Sequence, residues 1–236
     1  MNSAAALPPY VSIDLVWWLA GGTVAVALAW LLRRCRAANR IDWGASWINY
    51  LDGLNRIVCR RFHGLRDEPL PLPESAAALL VSNHVSGLDS LLLIAASRRP
   101  LRFVIAREEY ERWWLKWLLR GVGCIPIERS RNPRGALKLA RAALEAGEVV
   151  ALFPQGRIHF DHEPPQPLKR GVAWLAGMTH APVIAVRIDG VRGQGLTVAA
   201  VLLPSRVRLQ YFQPLYLRDQ EPALFLEKLQ RLLGKV

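Results

Sequence analysis

AALLVSNHVSGLDSLLLIAA, residues 77–96, is the stretch that decides the fold. Its first six residues form a near-continuous apolar run, the signature of a strand covered on both faces. A helical apolar pattern resumes at Leu88 and continues to Ala96. Between them lies a short polar turn, Asn83-His84-Val85-Ser86-Gly87. A strand that hands over to a helix through a few polar residues is the repeating unit of an α/β sheet, and such sheets bind ligands at the carboxyl ends of their strands.

The same alternation extends along the chain. RFVIA (102–106), CIPI (124–127), EVVALF (148–153), APVIAVRI (181–188) and RVRLQYF (206–212) are predicted strands. Helical spacing is predicted for Glu108–Arg120, Arg134–Ala146, Lys169–Met178 and Glu221–Leu233. Residues 76–236 are therefore expected to form one α/β domain, a mixed, largely parallel sheet flanked by helices. The connections are too short for a second folded domain.

Residues 1–75 differ in character. LVWWLAGGTVAVALAWLL (15–32) carries no charge over eighteen residues, the lower limit for crossing a bilayer's hydrocarbon core. Trp17, Trp18 and Trp30 sit near its ends, and Arg33, Arg34, Arg36 and Arg40 follow it. The expectation is a retained membrane-anchoring helix, either spanning or dipping into one leaflet, with the downstream domain on the cytoplasmic side of the inner membrane. In Ile41–Arg61 apolar residues recur at Trp43, Trp47, Leu51, Leu54 and Val58, while Asp52, Asn55, Arg56 and Arg60 fall on the remainder. That pattern suits a helix lying in the membrane interface or one packed on the main domain. Trp113, Trp114 and Trp117, with Arg112, Lys116 and Arg120 at i, i+4, i+8, suggest a second lipid contact.

Composition narrows the partners. With 31 Lys+Arg against 19 Asp+Glu the net charge is +12, and 52% of residues are hydrophobic. An apolar, strongly basic chain is expected to meet anionic membrane lipids. No nucleic-acid partner is expected, because no recognition motif accompanies the charge. Three dispersed cysteines make neither a disulfide framework nor a metal site. Nothing in the pattern sets an oligomeric state.

The chemistry is expected at His84 and Asp89. An imidazole at a strand end, with a carboxylate five residues on in the first turn of the next helix, makes a general base whose tautomer the carboxylate fixes. The same pair also reads as a hydrogen-bonded turn capping the helix. A substrate hydroxyl, Ser86 or Ser90 is available as the nucleophile. Backbone N–H groups at the following helix start are candidates for stabilising an oxyanion.

Asn83-His84-x4-Asp89 resembles the first motif of the glycerolipid acyltransferase family, which includes the 1-acyl-glycerol-3-phosphate acyltransferases. Gly123-Cys124-Ile125-Pro126-Ile127-Glu128-Arg129 resembles its second motif, Phe153-Pro154-Gln155-Gly156-Arg157 its third, and Ala181-Pro182-Val183-Ile184-Ala185-Val186 its fourth. Lys169-Arg170-Gly171 matches a basic-Gly element of the family. The match covers about residues 76 to 190. The resemblance implies transfer of an acyl chain from a thioester, acyl-CoA or acyl carrier protein, to a lysolipid hydroxyl in phospholipid biosynthesis. It assigns catalysis to His84 and Asp89, and acceptor binding to Asn83, Arg129, Gln155, Gly156, Arg157 and Lys169. No metal or redox cofactor is called for.

Gln155 stands where the family commonly has Glu, and Arg157 where it has Thr. Both changes make the pocket more positive. They favour a polyanionic head group such as that of 1-acylglycerol-3-phosphate. They also admit another acceptor (lyso-ornithine lipid or a further lysophospholipid), or an anionic-lipid binding module without turnover. His159-Phe160-Asp161-His162-Glu163 lies in a Pro-rich loop rather than on a helix and is not expected to hold a metal.

Overall fold

The computed structural model of this chain describes residues 13–128, 133–160, 163, 164, 166–218 and 220–234. Six strands run through the described residues: β1 (Ala78–Ser82), β2 (Leu101–Ala106), β3 (Ile125–Ile127), β4 (Val149–Leu152), β5 (Val183–Asp189) and β6 (Arg208–Tyr211). They form one sheet in the order β3-β2-β4-β1-β5-β6. Every pairing is parallel except β5 with β6. The expected mixed, largely parallel sheet is present, and β1 lies inside it, with Leu80 level with Ala151 on one side and Ile184 on the other.

The helices are α1 (Ile13–Ala38), α2 (Ser46–Arg61), α3 (Asp89–Ala96), α4 (Arg107–Tyr110), α5 (Lys116–Gly121), α6 (Arg134–Glu145), α7 (Gly171–Thr179) and α8 (Pro222–Leu233). They cover both faces of the sheet. Strand side chains alternate between faces with a period of two. Ala78 and Leu80 of β1 accordingly join one core with Leu92 and Leu93 of α3 and Cys59 of α2. Leu79 and Val81 join the other, with Ala140 and Leu144 of α6, Leu175 of α7 and Phe225 and Leu229 of α8. Burying each large apolar side chain stabilises the fold by about 1.5–3 kcal/mol. Every residue of β1 is buried, which is why its sequence shows an unbroken apolar run.

The structure bears on three expectations. The helix expected over Glu108–Arg120 is broken into α4 and α5. The N–H groups of Leu115 and Lys116 both turn back to the Arg112 carbonyl, and the Trp117 indole N–H takes the Trp114 carbonyl at 2.8 Å. An indole donor there competes with the backbone ladder. The three basic residues therefore do not form a rail along one helix.

The second concerns α2, for which the spacing left an interfacial helix and one packed on the main domain both open. Its inner face holds Ile48, Asp52, Gly53, Arg56 and Cys59, so two charged residues of its polar side are buried. Trp47, Leu51 and Leu54 are exposed instead. Third, among the described residues no helix is long and apolar enough to cross a membrane. In α1, Gly21, Gly22 and Thr23 interrupt the apolar run, and Arg33, Arg34 and Arg36 occupy the final turns. Its outward side chains, Trp17, Trp18, Val24, Leu28 and Trp30 among them, are exposed.

Candidate active site

The site is built where β1 leaves the sheet. Asn83 is buried, and its amide donates to the Ile188 carbonyl at 2.9 Å while accepting the Ile188 N–H at 2.7 Å. It fastens the end of β1 to β5, so its amide serves the sheet rather than facing a ligand. His84 comes next. Its Nδ1 lies 2.8 Å from Oδ2 of Asp89, the first residue of α3.

Asp89 has no exposed surface. Its Oδ2 also accepts the N–H groups of Val85 (2.7 Å) and Ser86 (2.9 Å), and its Oδ1 accepts the Ser86 hydroxyl at 3.0 Å. A carboxylate surrounded by donors keeps its negative charge satisfied, and the α3 amino end adds a favourable dipole. Facing that acceptor, neutral His84 carries its proton on Nδ1 and presents the Nε2 lone pair. The dyad is thus the general-base arrangement that the spacing suggested, and it is also a capped turn. The two readings describe the same set of bonds.

The walls come from distant segments. The Phe153 ring, just past β4, stacks on the imidazole with centroids 4.1 Å apart and planes at 12°. Gln155 Oε1 accepts the His84 N–H at 3.1 Å, and the His159 N–H donates to the His84 carbonyl at 2.7 Å. The loop after β4 therefore holds His84 by both ends of its peptide. The loop after β5 holds the turn that follows: Gly195 N–H donates to the Val85 carbonyl, and Gly87 N–H donates to the Leu196 carbonyl. A Cβ at position 87 would lie 2.5 Å from the Thr197 carbonyl oxygen, so only glycine lets the two segments meet there.

These bonds bear on two expectations. Ser86 is buried, and its hydroxyl both donates to Asp89 and accepts the Leu88 N–H, which leaves it no role as a nucleophile. The backbone N–H groups of residues 84–88 all have protein acceptors, and that of Asp89 lies 3.4 Å from the Ser86 carbonyl oxygen. The turn's own donors are therefore engaged, and an oxyanion would have to be met by the N–H groups of Ser90 and Leu91 in the first turn of α3.

The remaining candidates lie on the rim formed by the loop after β4. Lys169 is exposed, its N–H bonds the Pro154 carbonyl, and its stem covers Gly156. Arg157 is half exposed, with Nε bonded to Gln166 and Nη2 3.6 Å from Glu163. Arg129, Asp161 and His162 lie outside the described residues. His159 Nδ1 sits 2.7 Å from Glu163 Oε2, but out of line for a hydrogen bond. No cluster of three metal-ligating side chains occurs among the described residues. A hollow of about 520 Å³ opens between α7 and α8, lined by Trp174, Met178 and Leu226, and His84 does not line it.

The sequence reading missed Phe153 as a ring partner, although an aromatic residue directly before Pro154 was the available signal. It also missed the buried Asp52–Arg56 pair. Cys124, inside the second motif, is a buried thiol that desolvation pushes up to about 12, so it is not a nucleophile at neutral pH.

An imidazole braced by a buried carboxylate at the carboxyl end of an inner parallel strand defines an α/β protein built around a general base. A family model described as Acyltransferase matches residues 63–189, more than half of the chain, and the chain belongs to that family. Its glycerolipid branch is the one the sequence motifs resemble. The chain is 23% identical over 120 residues to the 1-acyl-sn-glycerol-3-phosphate acyltransferase of Bacillus subtilis (strain 168), covering 50% of this chain and 59% of that protein. It is 28% identical over 144 residues to a probable 1-acyl-sn-glycerol-3-phosphate acyltransferase of Mycoplasma pneumoniae, covering 58% of this chain and 50% of that one. The chain thus spans between half and three-fifths of the length of these relatives. The crystal structure of the 1-acyl-sn-glycerophosphate (LPA) acyltransferase PlsC from Thermotoga maritima has a similar fold, with a TM-score of 0.58 at 20% identity over 81% of both chains.

Proposed function

We propose that this protein is a membrane-associated O-acyltransferase that moves an acyl chain from an acyl thioester, acyl-CoA or acyl carrier protein, to the free hydroxyl of 1-acylglycerol-3-phosphate, giving phosphatidate. One observation carries the reading: a buried carboxylate holds His84 Nδ1 at 2.8 Å and leaves Nε2 for the acceptor hydroxyl. Nε2 removes that proton as the hydroxyl oxygen attacks the thioester carbonyl. When the tetrahedral intermediate collapses, the C–S bond breaks and the imidazolium returns the proton to the leaving thiolate. Asp89 stabilises the imidazolium between these steps. No group beyond donor and acceptor is consumed.

The rim supplies the acceptor's anionic end with Arg157 and Lys169, and the family motif assigns Arg129 to the same task. Gln155 keeps an acceptor oxygen on the His84 N–H, so the replacement of the family's usual Glu leaves the dyad's support in place. Membrane association is supported by the exposed Trp and Leu side chains of α1 and α2. Exposed Trp113, Trp114 and Trp117 add to this surface, and Trp117 packs on Trp47 with centroids 4.9 Å apart. Such a surface seats in one leaflet, with Arg33, Arg34 and Arg36 at anionic head groups on the cytoplasmic side of the inner membrane.

The test is acyl transfer on vesicles carrying the full chain, with lysophosphatidate and other lysolipids as acceptors and both thioester classes as donors. Transfer to lysophosphatidate above the other lysolipids is expected, with loss of turnover in His84→Ala. Wild-type turnover by a folded His84→Ala protein refutes the mechanism. Preference for another lysolipid reassigns the acceptor, and vesicle binding without transfer to any acceptor leaves a lipid-binding module.

A further inference from the structure

The buried ion pair on α2 contacts neither His84 nor the rim, yet it reaches the helix on which the dyad depends. Arg56 is 1% exposed. Its Nε donates to Asp52 Oδ2 at 2.6 Å, Nη1 donates to the Ala95 carbonyl at 2.9 Å, and Nη2 reaches the carbonyls of Ile94 (3.2 Å) and Ser97 (2.8 Å). Ile94 and Ala95 belong to the last turn of α3, where carbonyls lack partners within the helix. The Ser97 N–H serves Leu93 and Ile94, the Leu70 N–H serves Ala96, and Arg56 completes the set. A buried cation also matches the negative end of the α3 dipole.

Asp89 is the first residue of that same eight-residue helix. A helix rises 1.5 Å per residue, so about 8–9 Å of rigid backbone separates the gripped Ile94 and Ala95 from Asp89. Asn55 adds a second hold, its Nδ2 donating to the Leu91 carbonyl at 2.9 Å. Beside this pair α2 is fixed to α1: a Cβ at Gly53 would lie 1.8 Å from the Cys35 carbonyl oxygen, so the two backbones touch. The path from the apolar outer helices to Asp89 thus consists of packed, hydrogen-bonded elements. The Asp52–Arg56 contact by itself adds little stability, since an apolar pair of similar volume is often as stable as a buried ion pair; what the arginine adds is donors for the three α3-end carbonyls. Lysine cannot replace it, because only the planar guanidinium fork reaches a carboxylate and three carbonyls at once.

We propose that Arg56, held by Asp52, is a positioning residue for acyl transfer. By gripping the carboxyl end of α3 it sets where Asp89 meets His84, and it ties the dyad to the α1–α2 pair. The proposal rests on the His84–Asp89 reading above.

The test uses the full chain on vesicles, as the double variant Asp52→Leu/Arg56→Met and the single variant Arg56→Lys. The double variant is expected to fold. Its kcat should fall roughly 10–100-fold, the scale of a small misplacement at a reacting centre, with KM for both substrates within about twofold of wild type. Arg56→Lys keeps the charge opposite Asp52 and loses the fork, and it should show a smaller fall in kcat, again with KM unchanged. The second readout is the resonance of the His84 Nδ1 proton without substrates, which should move upfield or broaden in both variants. Folded variants with wild-type kcat and an unmoved resonance overturn the proposal. So does a double variant that fails to fold while Arg56→Lys folds with unaltered kcat and resonance, because the pair is then structural only. The resonance needs no turnover, so it judges Arg56 separately from the His84→Ala assay.

Discussion

β1 and α2 bury their residues by opposite rules. In β1 all five residues are buried and apolar side chains feed both cores, as an unbroken apolar run demands. In α2 the ionic residues Asp52 and Arg56 are inside at 4% and 1% exposure, while Trp47, Leu51 and Leu54 lie outside at 43%, 38% and 38%. Periodicity identifies two unlike faces of a helix but not which one meets the domain. Water decides that for an isolated globule. In α2 it is decided by the open carbonyls at the end of α3, which accept from the Arg56 guanidinium.

The largest effect is expected at the carboxylate that β1 and α3 bring to His84. Asp89→Asn keeps the shape but turns an NH₂ toward a group of N–H donors, so kcat should fall by roughly 10²–10⁴-fold with the fold retained. Steady-state kinetics alongside circular dichroism check this, and a fall under threefold would show that the charge is dispensable.

Next comes a paired truncation. Leu80→Ala, in β1, should cost about 2–5 kcal/mol in urea melts, whereas Leu54→Ala, on the outer face of α2, should cost less than about 0.5 kcal/mol. Vesicle flotation should rank them in reverse, with Leu54→Ala the weaker binder. Equal stability losses would mean that the outer face of α2 is packed against protein.

A smaller effect lies at the end of α2. His63 is fully buried, and burial lowers its proton affinity, opposed in part by the nearby Val201 and Leu203 carbonyls. The folded state therefore binds the proton less readily than the unfolded chain. Stability should be at its plateau above the ordinary imidazole value of about 6.5 and should decline as pH falls below it. His63→Phe should remove that share of the slope in melts between pH 5 and 8. An unchanged slope would show that protonation of His63 is not coupled to unfolding.

The mildest test compares thiols. Cys59 on α2 and Cys124 before β3 are both pushed by burial up to about 12, and burial raises Cys35 as well. Iodoacetamide at pH 8 should modify none of the three in the native protein and all three after denaturation, as read by intact mass. Fast labelling of Cys59 alone would show that the inner face of α2 opens more readily than the sheet.

The fold was legible because its strands are apolar on both faces and its turns are polar, a contrast that needs no tertiary knowledge. His84 and Asp89 were legible for a similar reason, since their bond closes over five residues. Much of the rest depended on partners far along the chain. The amide of Asn83 is claimed by Ile188, 105 residues away. The grip of Arg56 on Ala95 spans 39 positions and leaves no periodic trace. Even the donors of the turn, free on paper to hold an oxyanion, are engaged by Gln155, Asp89 and Leu196.

The contacts of Asp89 have a consequence for how this chain can change over time. All of its side-chain partners come from His84, Val85 and Ser86, so the proton-handling unit is inherited as a single hexapeptide cassette. The residues that surround it, Phe153, Gln155, His159 and Gly195, arrive from distant loops downstream. Substitutions there can drift toward new head groups while the reaction itself is passed on intact.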